Sequence, residues 1–251
     1  MSEETPRVAI VTGGARGIGR ACALALAERG YDIALVDLLV PEMEEAAAGI
    51  RARGRRASLH AADVQRFDLA MATVAGIHAA WGRIDFLLNN AGAPMPKGLI
   101  EIGEDEFDRT IAINLKSCFN WCKAVAPFML AQGSGRIVSM SSVSALTGGV
   151  TSAVSKFAYA AAKAGILGMT RALAKELGPK VAVNAICPGV IATELTRGLI
   201  EPRAAELARG IALGRLGTPE DVAQLVAYLA TAEPNFMSGQ AFVLDGFQWV
   251  T

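Results

Sequence analysis

Seven short apolar runs alternate with stretches of helical period along this 251-residue chain, and that alternation limits the fold more than any other feature of the sequence. The runs Arg7–Thr12, Tyr31–Val36, Ala57–Ala61, Ile84–Leu88, Gly135–Met140, Val181–Ile186 and Ala241–Leu244 read as strands. Ile18–Arg29, Pro41–Arg53, Phe67–Trp81, Asp105–Leu130, Phe157–Leu177 and Pro219–Ala230 read as helices. The strands are apolar at nearly every position, which predicts a sheet covered on both faces. Strands and helices in strict alternation predict an α/β fold, a doubly wound parallel sheet. Right-handed crossovers then give the order 3-2-1-4-5-6-7. With 52% hydrophobic residues the chain can bury a large core, and residues 1–251 are expected to form one domain.

Several classes of function are disfavoured. Lys plus Arg and Asp plus Glu both number 24, so the net charge gives no reason to expect nucleic acid or an anionic membrane as partner. The first residues, Met1 to Arg7, lack the apolar core of a secretion signal, and no run reaches the ~18 apolar residues of a membrane span. Four cysteines, Cys22, Cys118, Cys122 and Cys187, are too few for a disulfide framework. A cytoplasmic protein is the expectation. Cys118 and Cys122 lie four apart on a helix without a histidine nearby, so apolar packing is expected and no metal site. A hydrolase would want a G-x-S-x-G elbow and a base histidine. The elbow does not occur, and His60 and His78 are far from any candidate nucleophile in sequence.

The first strand and first helix are joined by Thr12-Gly13-Gly14-Ala15-Arg16-Gly17-Ile18-Gly19. A glycine turn that opens a helix after a strand suits an anion. Gly13 permits the turn, Gly17 admits a pyrophosphate close to the backbone, and Gly19 allows close helix–strand contact, while the helix N-terminus favours negative charge. The spacing Gly-x-x-x-Gly-x-Gly differs from the usual G-x-G-x-x-G of a Rossmann-type fold, so its position between strand and helix carries the reading. Asp37 ends the second strand, 18 residues after Gly19. A carboxylate there can accept from an adenosine ribose and repels a 2′-phosphate. Leu38 and Leu39 follow, with no basic residue. The expected cofactor is therefore NAD. NADP stays open, because the Arg16 guanidinium could reach a 2′-phosphate.

Tyr159 and Lys163 stand four apart at the start of a long predicted helix and share a face. A free phenol has a pKa of ~10 and is a poor base at neutral pH. An adjacent ammonium favours phenolate, and an oxidised nicotinamide adds a second positive charge, so the pair is a candidate general acid/base. Ser142 closes the fifth strand at the same carboxyl edge, where a hydroxyl could donate to a developing alkoxide. Ser144 is its neighbouring alternative. Asn114 lies in the long helix before that strand, where its amide either holds a water near Lys163 or satisfies a backbone gap. The segment 190–218, with Glu194, Arg197, Glu201, Arg203, Glu206 and Arg209 among Leu195, Leu199 and Leu207, is read as a substrate flap.

Taken in order, these motifs resemble the short, roughly 250-residue type of the short-chain dehydrogenase/reductase family. The resemblance runs over nearly the whole chain: Thr12–Gly19, Asp37, Asp63-Val64, Asn89-Asn90-Ala91-Gly92, Asn114, Ser142, Tyr159/Lys163, Pro188-Gly189 and Thr193. It implies a hydride transfer between a nicotinamide and a secondary alcohol or ketone. Tyr159 is then the proton donor and acceptor, Lys163 its partner and a ribose ligand, Ser142 the group that orients the substrate oxygen, and Asn114 the holder of a relay water. Gly13, Arg16, Gly17, Ile18, Gly19, Asp37 and Leu38 would form the cofactor cradle. Asp63 and Val64 would meet adenine, Asn90 the ribose region, and Ile191 and Thr193 the nicotinamide carboxamide. The resemblance also implies a homotetramer, for which the apolar tail from Phe242 through Phe247 and Trp249 to Val250 is suited. The alternative within the family is a 3-oxoacyl-acyl-carrier-protein reductase using NADPH. The sequence departs from the family pattern in a longer interval between Ser142 and Tyr159, with the extra residues in 143–158.

Overall fold

A computed structural model describes residues 6–149, 155–194 and 196–248. Seven strands, β1 (Val8–Thr12), β2 (Asp32–Asp37), β3 (Ala57–Ala61), β4 (Phe86–Asn89), β5 (Gly135–Met140), β6 (Val181–Pro188) and β7 (Ala241–Leu244), form one sheet in the order β3-β2-β1-β4-β5-β6-β7. Every pairing is parallel. The architecture and strand order expected from the apolar pattern are those found. Strand ends shift by one or two residues, the usual uncertainty of a boundary read from pattern.

The sheet is covered on both sides because side chains alternate along each strand. Ala9 and Val11 face one layer, packed with Cys22 and Leu26 of α1 (Gly17–Glu28), Met43 of α2 (Val40–Arg51) and Val222 and Val226 of the C-terminal helix Pro219–Thr231. Val8 and Ile10 face the other, against Val74 of α3 (Phe67–Trp81) and a helix carrying Trp121, Val125 and Met129. The Tyr31 hydroxyl donates to the Ala230 carbonyl at 2.8 Å and ties the head of β2 to the C-terminal helix. Among the described residues, no helix is long and apolar enough to cross a membrane.

The long helix expected over Asp105–Leu130 is in fact three pieces. These are α4 (Glu104–Ile111), a π-helical turn at Ala112–Lys116, and α5 (Ser117–Gln132). Side chains here compete for backbone carbonyls: Asn114 Nδ2 donates to the Thr110 carbonyl at 3.0 Å, and Ser117 Oγ to that of Ile113 at 2.6 Å. The wider turn sits on Asn114, and such π turns recur at functional sites. The remaining helices are α6 (Ser144–Thr147), α7 (Phe157–Leu177), α8 (Arg197–Ile200), α9 (Ala204–Arg209) and α10 (Pro219–Thr231).

Candidate active site

The strand order reverses between β1 and β4, and at that switch point the carboxyl ends of the strands open into a cleft of about 650 Å³. That volume lies within the range of small-molecule sites. All of the sequence-predicted site residues line it except Gly19, which lies just beneath.

One end of the cleft is the glycine turn. Gly13 has φ +65° and Gly17 φ +54°, backbone that L side chains rarely adopt. A Cβ at Gly19 would stand 1.9 Å from the Gly13 carbonyl oxygen. The close approach at Gly19 is thus to the turn itself and not to a strand. Two polar side chains from the switch point hold the turn. Asn90 Nδ2 donates to the carbonyls of Thr12 and Gly13 at 3.1 and 3.0 Å. Thr12 Oγ1 donates to the Leu88 carbonyl and accepts from the Asn90 amide at 3.0 Å. The Asn90 side chain therefore serves the turn first.

Asp37 accepts from the backbone N–H of Leu38, Leu39 and Ala15 at 2.8, 3.2 and 3.2 Å, which fixes its carboxylate at the rim. Leu38 beside it is exposed. The Arg16 guanidinium makes no ion pair or hydrogen bond with the described residues. Asp63 accepts from the Gln65 backbone at 2.9 Å, and Val64 is buried beneath. Sequence reasoning missed Asn120. It is fully buried on α5, and its amide donates to the carbonyls of Val64 and Gln65 at 3.1 Å each. An amide in the middle of an otherwise apolar helix face was the available signal.

The other end collects Asn114, Ser142, Tyr159 and Lys163. The Asn114 amide is fully engaged with backbone: Nδ2 donates to Ala93 and Thr110, and Oδ1 accepts from the Ala93 N–H at 3.2 Å. These bonds satisfy backbone groups and clamp the chain that leaves β4. Lys163 is 4% exposed, its Nζ 5.5 Å from the Tyr159 ring centroid and donating to the Met140 carbonyl at 2.7 Å. An ammonium carries three donors, and one bond leaves a buried charge short of partners. Gly92 leaves room beside it, since a Cβ there would lie 3.5 Å from Nζ.

The serines divide by what their protons do. Ser141 Oγ donates to the Lys163 carbonyl at 2.8 Å and is buried. Ser142 Oγ accepts from the Ser144 N–H at 3.1 Å, and among the described residues its proton has no acceptor. Ser144 heads α6 within the lengthened interval, and residues 150–154 of that interval lie outside the described ones. The interval closes on the segment after β4, where Met95 N donates to Ser155 Oγ and Lys156 N to the Met95 carbonyl.

The segment 190–218 borders this same end through Val190, Thr193, Ile200 and Leu207. Ile191 is buried and bridges to Gly217, while Thr193 and Thr196 exchange hydrogen bonds through hydroxyls 2.9 Å apart. Arg20 meets Glu194 at 3.5 Å. Leu195 and Trp249 lie outside the described residues, and Phe247 of the tail is exposed.

The features read as lacking chemistry are accounted for in the core and at the surface. Cys118 and Cys122 are buried, and burial pushes the Cys122 thiol up to about 12. His60 contacts Ser58 on β3, and His78 stacks on Phe128.

Comparison with known proteins agrees with this architecture. Residues 13–246 match the family model described as enoyl-(acyl carrier protein) reductase. The chain is 38% identical over 244 residues to the 3-oxoacyl-(acyl-carrier-protein) reductase FabG of Chlamydia muridarum, covering 96% of each chain. It is 39% identical over 255 residues to the short-chain reductase protein NovJ of Streptomyces niveus, covering 98% of this chain and 94% of that one. A solved short-chain dehydrogenase/reductase from Brucella melitensis, described as glucose/ribitol dehydrogenase, superposes with a TM-score of 0.89 at 32% identity, over 98% of this chain and 97% of that one. With its fold, its cleft and these relatives in agreement along nearly its full length, the chain belongs to the short-chain dehydrogenase/reductase family of nicotinamide-dependent oxidoreductases.

Proposed function

We propose that this protein is an NAD-preferring oxidoreductase that interconverts a secondary alcohol and its ketone, with Tyr159 as the acid/base. The observation that carries the reading is the convergence of the Tyr159 phenol, the buried Lys163 ammonium and the Ser142 hydroxyl on the cleft that also contains the glycine turn. The cleft fits a nicotinamide dinucleotide in two ways. The turn of Gly13 and Gly17 offers bare backbone to a pyrophosphate, and the buried Lys163 ammonium still has hydrogen-bond capacity suited to ribose hydroxyls. Bound there, the nicotinamide would accept or supply a hydride.

The chain's own residues handle the proton. In oxidation, the carbinol hydrogen leaves with two electrons and the hydroxyl proton passes to the Tyr159 oxygen; in reduction both return. Lys163 keeps its ammonium 5.5 Å from the centroid of the Tyr159 ring. The Ser142 proton donates to the substrate oxygen and holds it facing the phenol. Asn114 acts through its clamp on Ala93 and through the π turn, and so shapes the cleft wall beside Lys163. Asp37 supports NAD by repelling a 2′-phosphate. Residues 1–251 would act as one domain, with 190–218 as substrate flap. Edge strand β7, where Val243 is exposed, and the tail through Phe247 would contribute to a homotetramer.

A second reading, an NADPH-dependent 3-oxoacyl-acyl-carrier-protein reductase, is favoured by the name of the 38% identical Chlamydia relative. Asp37 weighs against it. The test of the acid/base is Tyr159→Phe. Turnover is expected to fall roughly 10²–10⁴-fold with little change in NADH affinity, because proton transfer is lost and the cradle is not. Near-full activity would remove Tyr159 from the mechanism.

A further inference from the structure

The catalytic end of the cleft contains a cation that the proton chemistry does not use. Arg109 lies on α4, one helical turn before Ile113, and both line the cleft, so the helix turns this face inward. Phe107, two residues earlier, stacks on Phe157 with ring centroids 6.2 Å apart, which fixes α4 beside the first turn of α7, where Tyr159 stands.

Three other cations of this region have partners. Lys163 donates to Met140, Lys97 pairs with Glu106 at 2.5 Å, and Arg203 pairs with Glu206 at 2.8 Å. The Arg109 guanidinium has no hydrogen bond or ion pair with the described residues, although Asp105 and Asp108 share its helix. Glu194, a carboxylate that lines the cleft beside Gly17, is turned to Arg20. Arg109 is exposed at the mouth of a cleft whose lining also includes the apolar Ile113, Val143, Val190, Ile200 and Leu207. A guanidinium presents a planar fork that matches a carboxylate with two parallel hydrogen bonds.

We propose that the substrate is a hydroxy acid and its oxo acid, with the carboxylate held by Arg109 and a short apolar chain lying against the flap. The proposal rests on the reading of Tyr159 as acid/base at this cleft and names the substrate class that site selects. Arg109 is a specificity residue that touches the substrate away from the reacting carbon.

The experiment compares 2-, 3- and 4-hydroxypentanoate with their methyl esters, using NAD and following NADH absorbance. The wild type is expected to use at least one acid ten or more times better than its ester. In Arg109→Ala and Arg109→Gln, KM for that acid should rise at least 30-fold while kcat/KM for the ester stays within about twofold, and Arg109→Lys should recover part of the loss. Calorimetric titration of pentanoate into the NADH-loaded protein gives a readout without turnover, with binding expected in the wild type and lost in Arg109→Ala. Equal use of acid and ester by the wild type, or an equal loss for both in the variants, would overturn the proposal. Pentanoate binding that depends on Arg109 without turnover of any alcohol would instead overturn the hydride-transfer reading and leave the anion site standing.

Discussion

The two ends of the cleft are built by opposite means. At the glycine turn, nearly every polar group is tied to backbone: Asn90 to Thr12 and Gly13, Asp37 to three N–H groups, Asn120 to Val64 and Gln65. At the proposed catalytic end the walls come from short helices, α6, α8 and α9, and from side chains with capacity that the described residues leave unused, namely the Ser142 proton, two donors of Lys163 and the Arg109 guanidinium. A cofactor site must present one fixed shape to one molecule, and backbone hydrogen bonds give that. A substrate site gains its chemistry from groups left unsatisfied, which is tolerable only where a ligand completes them.

That contrast can be broken most directly at Gly19. A methyl group there meets a backbone oxygen at 1.9 Å, which no side-chain rotation relieves. Gly19→Ala is expected to cost about 3 kcal/mol or more, above ordinary overpacking, and to weaken NADH binding at least roughly 100-fold. Fluorescence titration with NADH measures this. Wild-type affinity would mean that the turn is not rigid.

Asp37→Ala sharpens the comparison with a middle-sized effect. Removing the carboxylate lifts repulsion of a 2′-phosphate, and kcat/KM with NADPH should rise about tenfold, equivalent to ~1.4 kcal/mol, relative to NADH. An unchanged ratio would assign cofactor choice to Arg16. The smallest effect is expected from Arg203→Ala in the flap. The Arg203–Glu206 pair is solvent-exposed, so urea unfolding should report little or no change in the midpoint. A larger change would show that the flap end is held as firmly as the turn.

Much of this was legible along the chain. Phe67–Trp81, Phe157–Leu177 and the strands at Ala57–Ala61, Gly135–Met140 and Ala241–Leu244 follow from periodicity to the residue. Pairing Tyr159 with Lys163 needed only helical spacing, and Asp37 needed only its place at a strand end. The break in the helix at 112–116 was not legible. Asn114 and Thr110 fit a helical pattern, and nothing in spacing says that an amide will claim a carbonyl.

By itself the sequence determined what local rules can encode: the sheet order, the glycine turn, and the neighbours on one helix face. Only the tertiary structure decided that Ser141 spends its proton on the Lys163 carbonyl, that Asn120 braces a loop 55 residues away, and that Arg109 faces the cleft without a partner among the described residues. Those outcomes depend on which groups distant parts of the chain leave satisfied. Hydrogen bonding is settled by three-dimensional proximity, and separation along the sequence carries no record of it.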